Sequence, residues 1–226
     1  MNRTPLDLIG LHEALLQAYG PQDWWPGRED PFEVIVGAIL TQRTTWTNVA
    51  SVIEALRSAE LLTFEAIRMA EDRRLEDLIR PTGFFRAKTI KLKAFCSLLR
   101  ADYDGDLSRL FALPLAELRT WLLSVHGIGD ETADAILVYA AGKASFVIDA
   151  YTRRLLTRLG SIAGNESYQW LQDAFAEALP ADVSLFAEYH ALIVHHAKTH
   201  CLSRPRCDGC PLAYSCDFAK QGEESG

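Results

Sequence analysis

Residues Leu122-Leu123-Ser124-Val125-His126-Gly127-Ile128-Gly129-Asp130-Glu131-Thr132-Ala133 place two glycines, one residue apart, between two stretches of helical periodicity. Apolar side chains recur at helical spacing before the glycines, over Leu115–Leu123, and after them, over Thr132–Ala141, as on the buried face of an amphipathic helix. Gly-Ile-Gly allows a tight turn with positive φ and leaves backbone N–H groups uncovered. A helix beginning near Asp130 turns its unpaired N-terminal N–H groups the same way. The product is a small anion site suited to a DNA phosphate, read without regard to base sequence. An ordinary corner between two helices would use the same glycines, so the turn alone does not decide its use. Weight is added by Phe146-Val147-Ile148-Asp149, which ends a loop just after the second helix.

On either side the pattern stays helical. Further helical spacing runs through Leu6–Tyr19, Phe32–Ile39, Val49–Leu56, Leu75–Ile79, Thr89–Leu99, Tyr151–Leu159, Tyr168–Leu179 and Val183–Ala197. Breakers part them at Pro21, Pro26-Gly27, Pro81-Thr82-Gly83, Asp104-Gly105, Gly164-Asn165 and Pro180. No alternating pattern with hairpin chemistry competes, so the expected fold class is all-α. There is no sequence repeat, and no low-complexity segment beyond the short tail 221–226.

A chain of 226 residues with 49% hydrophobic and 23% charged side chains can bury a core in one domain or two modest ones. Its most apolar stretch, Val34–Leu40, is far too short to span a membrane. No signal-like segment opens the chain. A cytoplasmic protein with no membrane partner is therefore expected. The net charge of −7 argues mildly against nucleic acid, but local distribution matters more than the total. Basic residues gather at Arg86, Lys88, Lys91 and Lys93, at Arg153, Arg154 and Arg158, and from His195 to Arg206. Solvated helix faces would look the same.

Four of the five cysteines, Cys201, Cys207, Cys210 and Cys216, follow a C-x5-C-x2-C-x5-C spacing among the turn-formers Pro205, Gly209 and Pro211. Four thiolates in one short loop suit a [4Fe-4S] cluster or a structural zinc. Zinc loops usually show two C-x2-C knuckles, and only one exists here. That favours iron–sulfur, with zinc second and disulfides a distant third. Cys96, in the apolar run 94–99, reads as a buried small hydrophobe.

Taken in order, Leu40-Thr41-Gln42-Arg43-Thr44, Gly127-Ile128-Gly129, Asp149 and the cysteine loop resemble the helix-hairpin-helix DNA glycosylases of the endonuclease III superfamily. The resemblance covers nearly the whole chain. One departure is a first cysteine gap one residue shorter than in typical endonuclease III. The resemblance implies two helical domains. A six-helix barrel with the helix-hairpin-helix would span 28–142. Residues 1–27 plus 143–226 would form a discontinuous domain carrying the [4Fe-4S] cluster loop (201–216), with the base entering between the two. The partner implied is double-stranded DNA containing damaged bases, bound by a monomer.

Site roles follow residue by residue from the same resemblance. Asp149 becomes the catalytic carboxylate that stabilises positive charge on the sugar and orients water. It would also cap the helix starting near Tyr151. Bifunctional members carry a lysine at the position held here by Glu131, and glutamate cannot form an imine. Base release without strand cleavage is expected, with Glu131 at the substrate. Trp24, Trp25, Gln42 and Trp46 look like the base pocket of the 3-methyladenine DNA glycosylase III branch. That branch shares the Ala133–Leu137 sequence after the hairpin. Aromatic faces stabilise a cationic alkylpurine by roughly 0.5–2 kcal/mol per contact. Gln42 would fill the gap left by the flipped nucleotide. Gly127, Ile128, Gly129, Arg86, Lys88, Arg204 and Arg206 would meet the DNA backbone. Alternatives are a glycosylase for oxidised or deaminated pyrimidines or mismatches, and a non-catalytic iron–sulfur protein that binds DNA.

Overall fold

The computed structural model describes residues 6–22 and 30–223, with side-chain detail to residue 221. All regular structure among the described residues is helical, as the periodicity requires. The chain divides into two compact units, one of Met1–Trp24 with Ala144–Gly226, the other of Trp25–Lys143.

The continuous unit holds α2 (Pro31–Thr41), α3 (Trp46–Ser58), α4 (Phe64–Met69), α5 (Asp72–Ile79), α6 (Phe85–Tyr103), α7 (Leu107–Phe111), α8 (Leu115–Ser124) and α9 (Asp130–Tyr139). Its centre is α2, where every residue from Phe32 to Leu40 except Glu33 is buried. A helix apolar all round belongs inside a bundle, and α2 packs on α3, α6 and α9. It starts where Asp30 accepts from the Phe32 and Glu33 N–H groups, with Pro31 in the first turn, a pre-organised helix entry. In α6, Cys96 is 1% exposed and burial pushes its thiol up to about 12, so it is an inert core residue.

One buried charge pair fixes α8 against α9. Asp134 is wholly buried, and Arg119 donates to both of its oxygens at 2.9 and 3.1 Å. The same guanidinium reaches Asp130 at 2.7 Å. These hydrogen bonds, that to Asp134 first, raise the guanidinium above its ordinary range.

The discontinuous unit holds α1 (Leu8–Tyr19), α10 (Ala150–Arg158), α11 (Tyr168–Ala178), α12 (Val183–Thr199) and α13 (Asp217–Glu223). Leu8, Leu11 and Leu15 bury one face of α1, which packs on α12. Tyr189 on α12 is fully buried and donates its hydroxyl to the Leu8 carbonyl at 2.9 Å. Phe146 stacks on Phe175 at 3.7 Å between ring centroids, and Phe186 meets Phe146 edge-on.

No helix among the described residues is long and apolar enough to cross a membrane. The ten helical runs read from the sequence correspond to α1, α2, α3, α5, α6 and α8 to α12. The unread α4, α7 and α13 span only five to seven residues, too short for periodicity to show.

Removing the arginine strands the Asp134 charge. Arg119→Leu is expected to lower unfolding stability by about 3 kcal/mol. Adding Asp134→Leu should restore most of it. Chemical denaturation checks both, and a single variant as stable as wild type would refute the account.

Candidate active site

The hairpin between α8 and α9 is a tight turn. Ile128 donates its N–H to the Val125 carbonyl at 3.1 Å, and Gly127 takes φ 82°, a value that favours glycine. Ile128 is buried at 5% exposure, so its side chain anchors the turn. Gly129 caps α9 with φ −103°, which any residue could adopt. A Cβ there would meet nothing within 4 Å. No internal packing requires glycine at 129, so its smallness leaves room for an outside group. Asp130 and Glu131 open α9 and are exposed.

Gln42, at the C-terminal end of α2, ties the hairpin down from below. Its amide donates to the Gly127 carbonyl at 3.1 Å and to the Thr132 hydroxyl at 2.9 Å. Lys91 on α6 donates to the Gln42 carbonyl oxygen at 2.5 Å. The methylenes of Lys91 lie where a Cβ on Gly127 would stand, at 2.5 Å. In this state Gln42 holds the motif from within.

Beside Gln42 the backbone is strained. Arg43 (φ 58°) and Phe84 (φ 46°) are non-glycine residues in the left-handed region, which costs roughly 1–3 kcal/mol each. Their side chains meet, the guanidinium 5.4 Å from the ring centroid. Phe84 is 63% exposed. Such strain collects at functional positions, and sequence reading missed Phe84 because its backbone angle leaves no sequence signal.

In the discontinuous unit, Asp149 caps α10. Its Oδ1 accepts from the Thr152 N–H at 2.7 Å and the Thr152 hydroxyl at 2.9 Å. Its Oδ2 lies 3.5 Å from His190 Nε2 on α12. The carboxylate is 8% exposed. Burial pushes its pKa up, but His190 and then Thr152 outweigh that and hold it below the ordinary carboxylate range.

Cys201, Cys207, Cys210 and Cys216 line one cavity with Leu155, Leu159, Leu212 and Phe218, and none is in a disulfide. Arg158 donates to Cys201 Sγ at 3.3 Å, and the Cys216 thiol donates to the Arg158 carbonyl at 3.2 Å. Burial pushes the Cys210 and Cys216 thiols up, opposed by the backbone at Leu212 and at Ala219 and Phe218 respectively, with the neighbouring cysteines adding a smaller rise. Among the described residues no three His, Cys, Asp or Glu converge as ligands of one metal ion.

The other expected residues fall variously. Trp24 and Trp25 lie outside the described residues. Trp46 opens α3, half-buried. Arg86, Arg204 and Arg206 are exposed. Lys88, expected to face DNA, is instead 2% exposed and donates to the Thr82 carbonyl at 2.7 Å. Burial and the nearby Lys91 lower its ammonium to about 8. Its methylenes serve the core while its head caps a buried carbonyl, so it is no phosphate contact.

A tight, open hairpin at a helix N-terminus and a buried carboxylate that caps another helix define a helix-hairpin-helix protein. Residues 36–181 match the HhH-GPD superfamily base excision DNA repair protein. The chain is similar to MJ1434 of Methanocaldococcus jannaschii, whose name assigns it provisionally as a DNA repair glycosylase. The two are 41% identical over 91% of this chain and 94% of that one. It also resembles the H. pylori 3-methyladenine DNA glycosylase MagIII bound to 1,N6-ethenoadenine, with 29% identity, a TM-score of 0.72, and coverage of 85% of this chain and 98% of that one. A trapped endonuclease III–DNA covalent intermediate shares the fold, with TM-score 0.84, 21% identity, and coverage of 97% and 99%. The chain belongs to the HhH-GPD superfamily of base excision DNA repair proteins, and within it is an endonuclease III-like DNA N-glycosylase.

Phe84 gives a test in which stability and function part. Phe84→Gly relieves the left-handed backbone and should leave the melting temperature unchanged or higher. Affinity for lesion-bearing duplex, followed by fluorescence anisotropy, should fall several-fold as a stacking face is lost. Unchanged affinity would remove Phe84 from the DNA-binding surface.

Proposed function

We propose that the protein releases cationic alkylated purines, such as 3-methyladenine, from double-stranded DNA and leaves the abasic site intact. The observation that carries this is Glu131. It stands in the exposed first turn of α9, at the position of the lysine that attacks the sugar in bifunctional relatives. A carboxylate cannot form the imine. Its negative charge at the positive end of the helix would also favour a cationic base nearby. The 29% identity to a 3-methyladenine DNA glycosylase supports the same substrate class.

Asp149 would supply the chemistry. Loss of an N-alkylated purine leaves positive charge on the sugar, and a carboxylate held ionised within the protein stabilises it. The same group orients the water that completes hydrolysis. Alkylation already weakens the glycosidic bond, so little acid assistance is needed. The N–H groups around Gly127 and Gly129 would bind a phosphate next to the lesion, with Gln42 and Trp46 at the base, and Trp24 and Trp25 proposed for its stacking pocket. Arg86, Arg204 and Arg206 would add charge to the DNA-facing surface.

Cys201, Cys207, Cys210 and Cys216 would hold a [4Fe-4S] cluster. A cluster spreads its four thiolates over four irons, so its ligands need no common point. An Arg158 N–H aimed at the Cys201 sulfur, in a cavity lined by Leu155, Leu159, Leu212 and Phe218, suits thiolate ligands. When bound, the cluster supplies cross-linking energy to the C-terminal segment. Anaerobically purified protein should be yellow-brown with iron and sulfide present, and Cys210→Ser should lose the colour and fold poorly. Stoichiometric zinc without iron or sulfide would refute this assignment.

The function is tested with duplexes carrying 3-methyladenine, 7-methylguanine, uracil, an oxidised thymine or a mismatch. Free base is scored against strand breaks, with and without borohydride. Faster release of the alkylpurines, with no trapped adduct, is expected. Asp149→Asn should slow release by roughly 100-fold or more while keeping lesion binding. Efficient trapping would point to another amine, such as Lys143, and overturn the monofunctional reading. Preference for a pyrimidine lesion or mismatch would overturn the substrate class.

A further inference from the structure

The two oxygens of Asp149 are held differently. Oδ1 is occupied by two short hydrogen bonds from Thr152, within its own helix. Oδ2 has His190 Nε2 at 3.5 Å, from a different helix, a charge contact longer than an ordinary N–H···O hydrogen bond. One oxygen is tied down as a cap, and the other is left loosely held.

We propose that His190 is the positioning residue of Asp149, fixing Oδ2 as the oxygen that works on the substrate while Thr152 holds Oδ1. The inference rests on the reading of Asp149 as the carboxylate that meets the sugar. A carboxylate buried this deeply takes up a proton unless something opposes desolvation, and a neutral acid stabilises no sugar cation. Thr152 alone leaves Oδ2 facing the interior without an answering group. His190, 7% exposed, lies on the long helix α12, which packs on α10, so its approach is set by two rigid elements.

Other charged groups around this pair have other partners. On α10, Arg153 donates to the Glu166 carbonyl, and Arg154 to the carbonyls of Cys201 and Ala197. On α12, Lys198 is within charge reach of Asp149. From α1, His12 lies edge-on to Tyr189 at 5.0 Å and feels Glu188 and Glu13, while Asp7 acts on Tyr189. Lys198 is the one rival for the role, and the experiment includes it.

Single-turnover release of the lesion base that wild type removes fastest is measured against pH for wild type, His190→Leu, His190→Gln, Lys198→Gln and Asp149→Asn. Asp149 is held below the ordinary carboxylate range, so its charge is present at neutral pH and lost as pH falls. Removing His190 raises that threshold. The acidic limb for His190→Leu should move up by about one to three pH units, with the rate recovered at high pH. His190→Gln keeps an N–H donor and should stay nearer wild type. A merely structural defect would scale the whole profile without moving its limb. If His190→Leu folds poorly, the Asp149 carboxyl is titrated directly in His190→Gln and wild type by carbon-13 NMR. An upward shift, smaller than that expected for leucine, supports the role, and identical titrations refute it. A limb that moves with Lys198→Gln and not with His190→Leu assigns the role to Lys198 and overturns the proposal. Retained activity in Asp149→Asn would sink the underlying mechanism instead. An inactive Asp149→Asn beside an unshifted His190→Leu would sink only this inference.

Discussion

A carboxylate sealed from water must have its charge answered, and in the continuous unit that demand falls on Asp134. Its answer, Arg119, comes from the helix on the other side of the hairpin and reaches Asp130 as well. The two helices flanking Gly127 and Gly129 are thereby held at one mutual angle. The phosphate site proposed at this turn needs the N–H groups of the turn and of the first turn of α9 to share a direction, which a free angle would not allow. An anion site assembled from backbone groups depends on such alignment, because no single donor in it is strong. The buried pair adds little net stability beyond what an apolar pair would give, but it fixes geometry.

A second polar device works on the turn itself. Gln42, Lys91 and Thr132 come from three helices and meet below Gly127. Buried networks of this kind are costly when incomplete and specifying when complete. The neighbouring strain at Arg43 and Phe84 is tolerated because the surrounding helices over-determine the backbone there.

Much of this was legible in the sequence, and what was not has physical reasons. Long helices announced themselves because a buried face repeats every turn, whereas α4 and α7 are too brief to repeat anything. The hairpin was legible from Gly127, whose φ excludes most residues. The role of Gly129 was not legible, because that nothing inside the protein needs it small is visible only in three dimensions. Asp149 was readable as a cap, but His190, 41 positions later by the numbering, carries no local signal linking it to that carboxylate. Lys88 misled because a basic residue in a basic run looks solvated. Its burial reflects a carbonyl at Thr82 that needed a donor, a need that sequence does not display.

The tie between Tyr189 and Leu8 spans 181 residues, and it bears on how the chain is made. During synthesis α1 leaves the ribosome long before the helix it packs on exists. The intervening Trp25–Lys143 unit closes on contacts within itself and has no need to wait. For that interval α1 carries an apolar face with no native cover. Closing so long a loop costs only slightly more entropy than closing a shorter one, so the delay is set by translation rather than by the search. The amphipathic helix is thus open to chaperones on the nascent protein until α12 has been made.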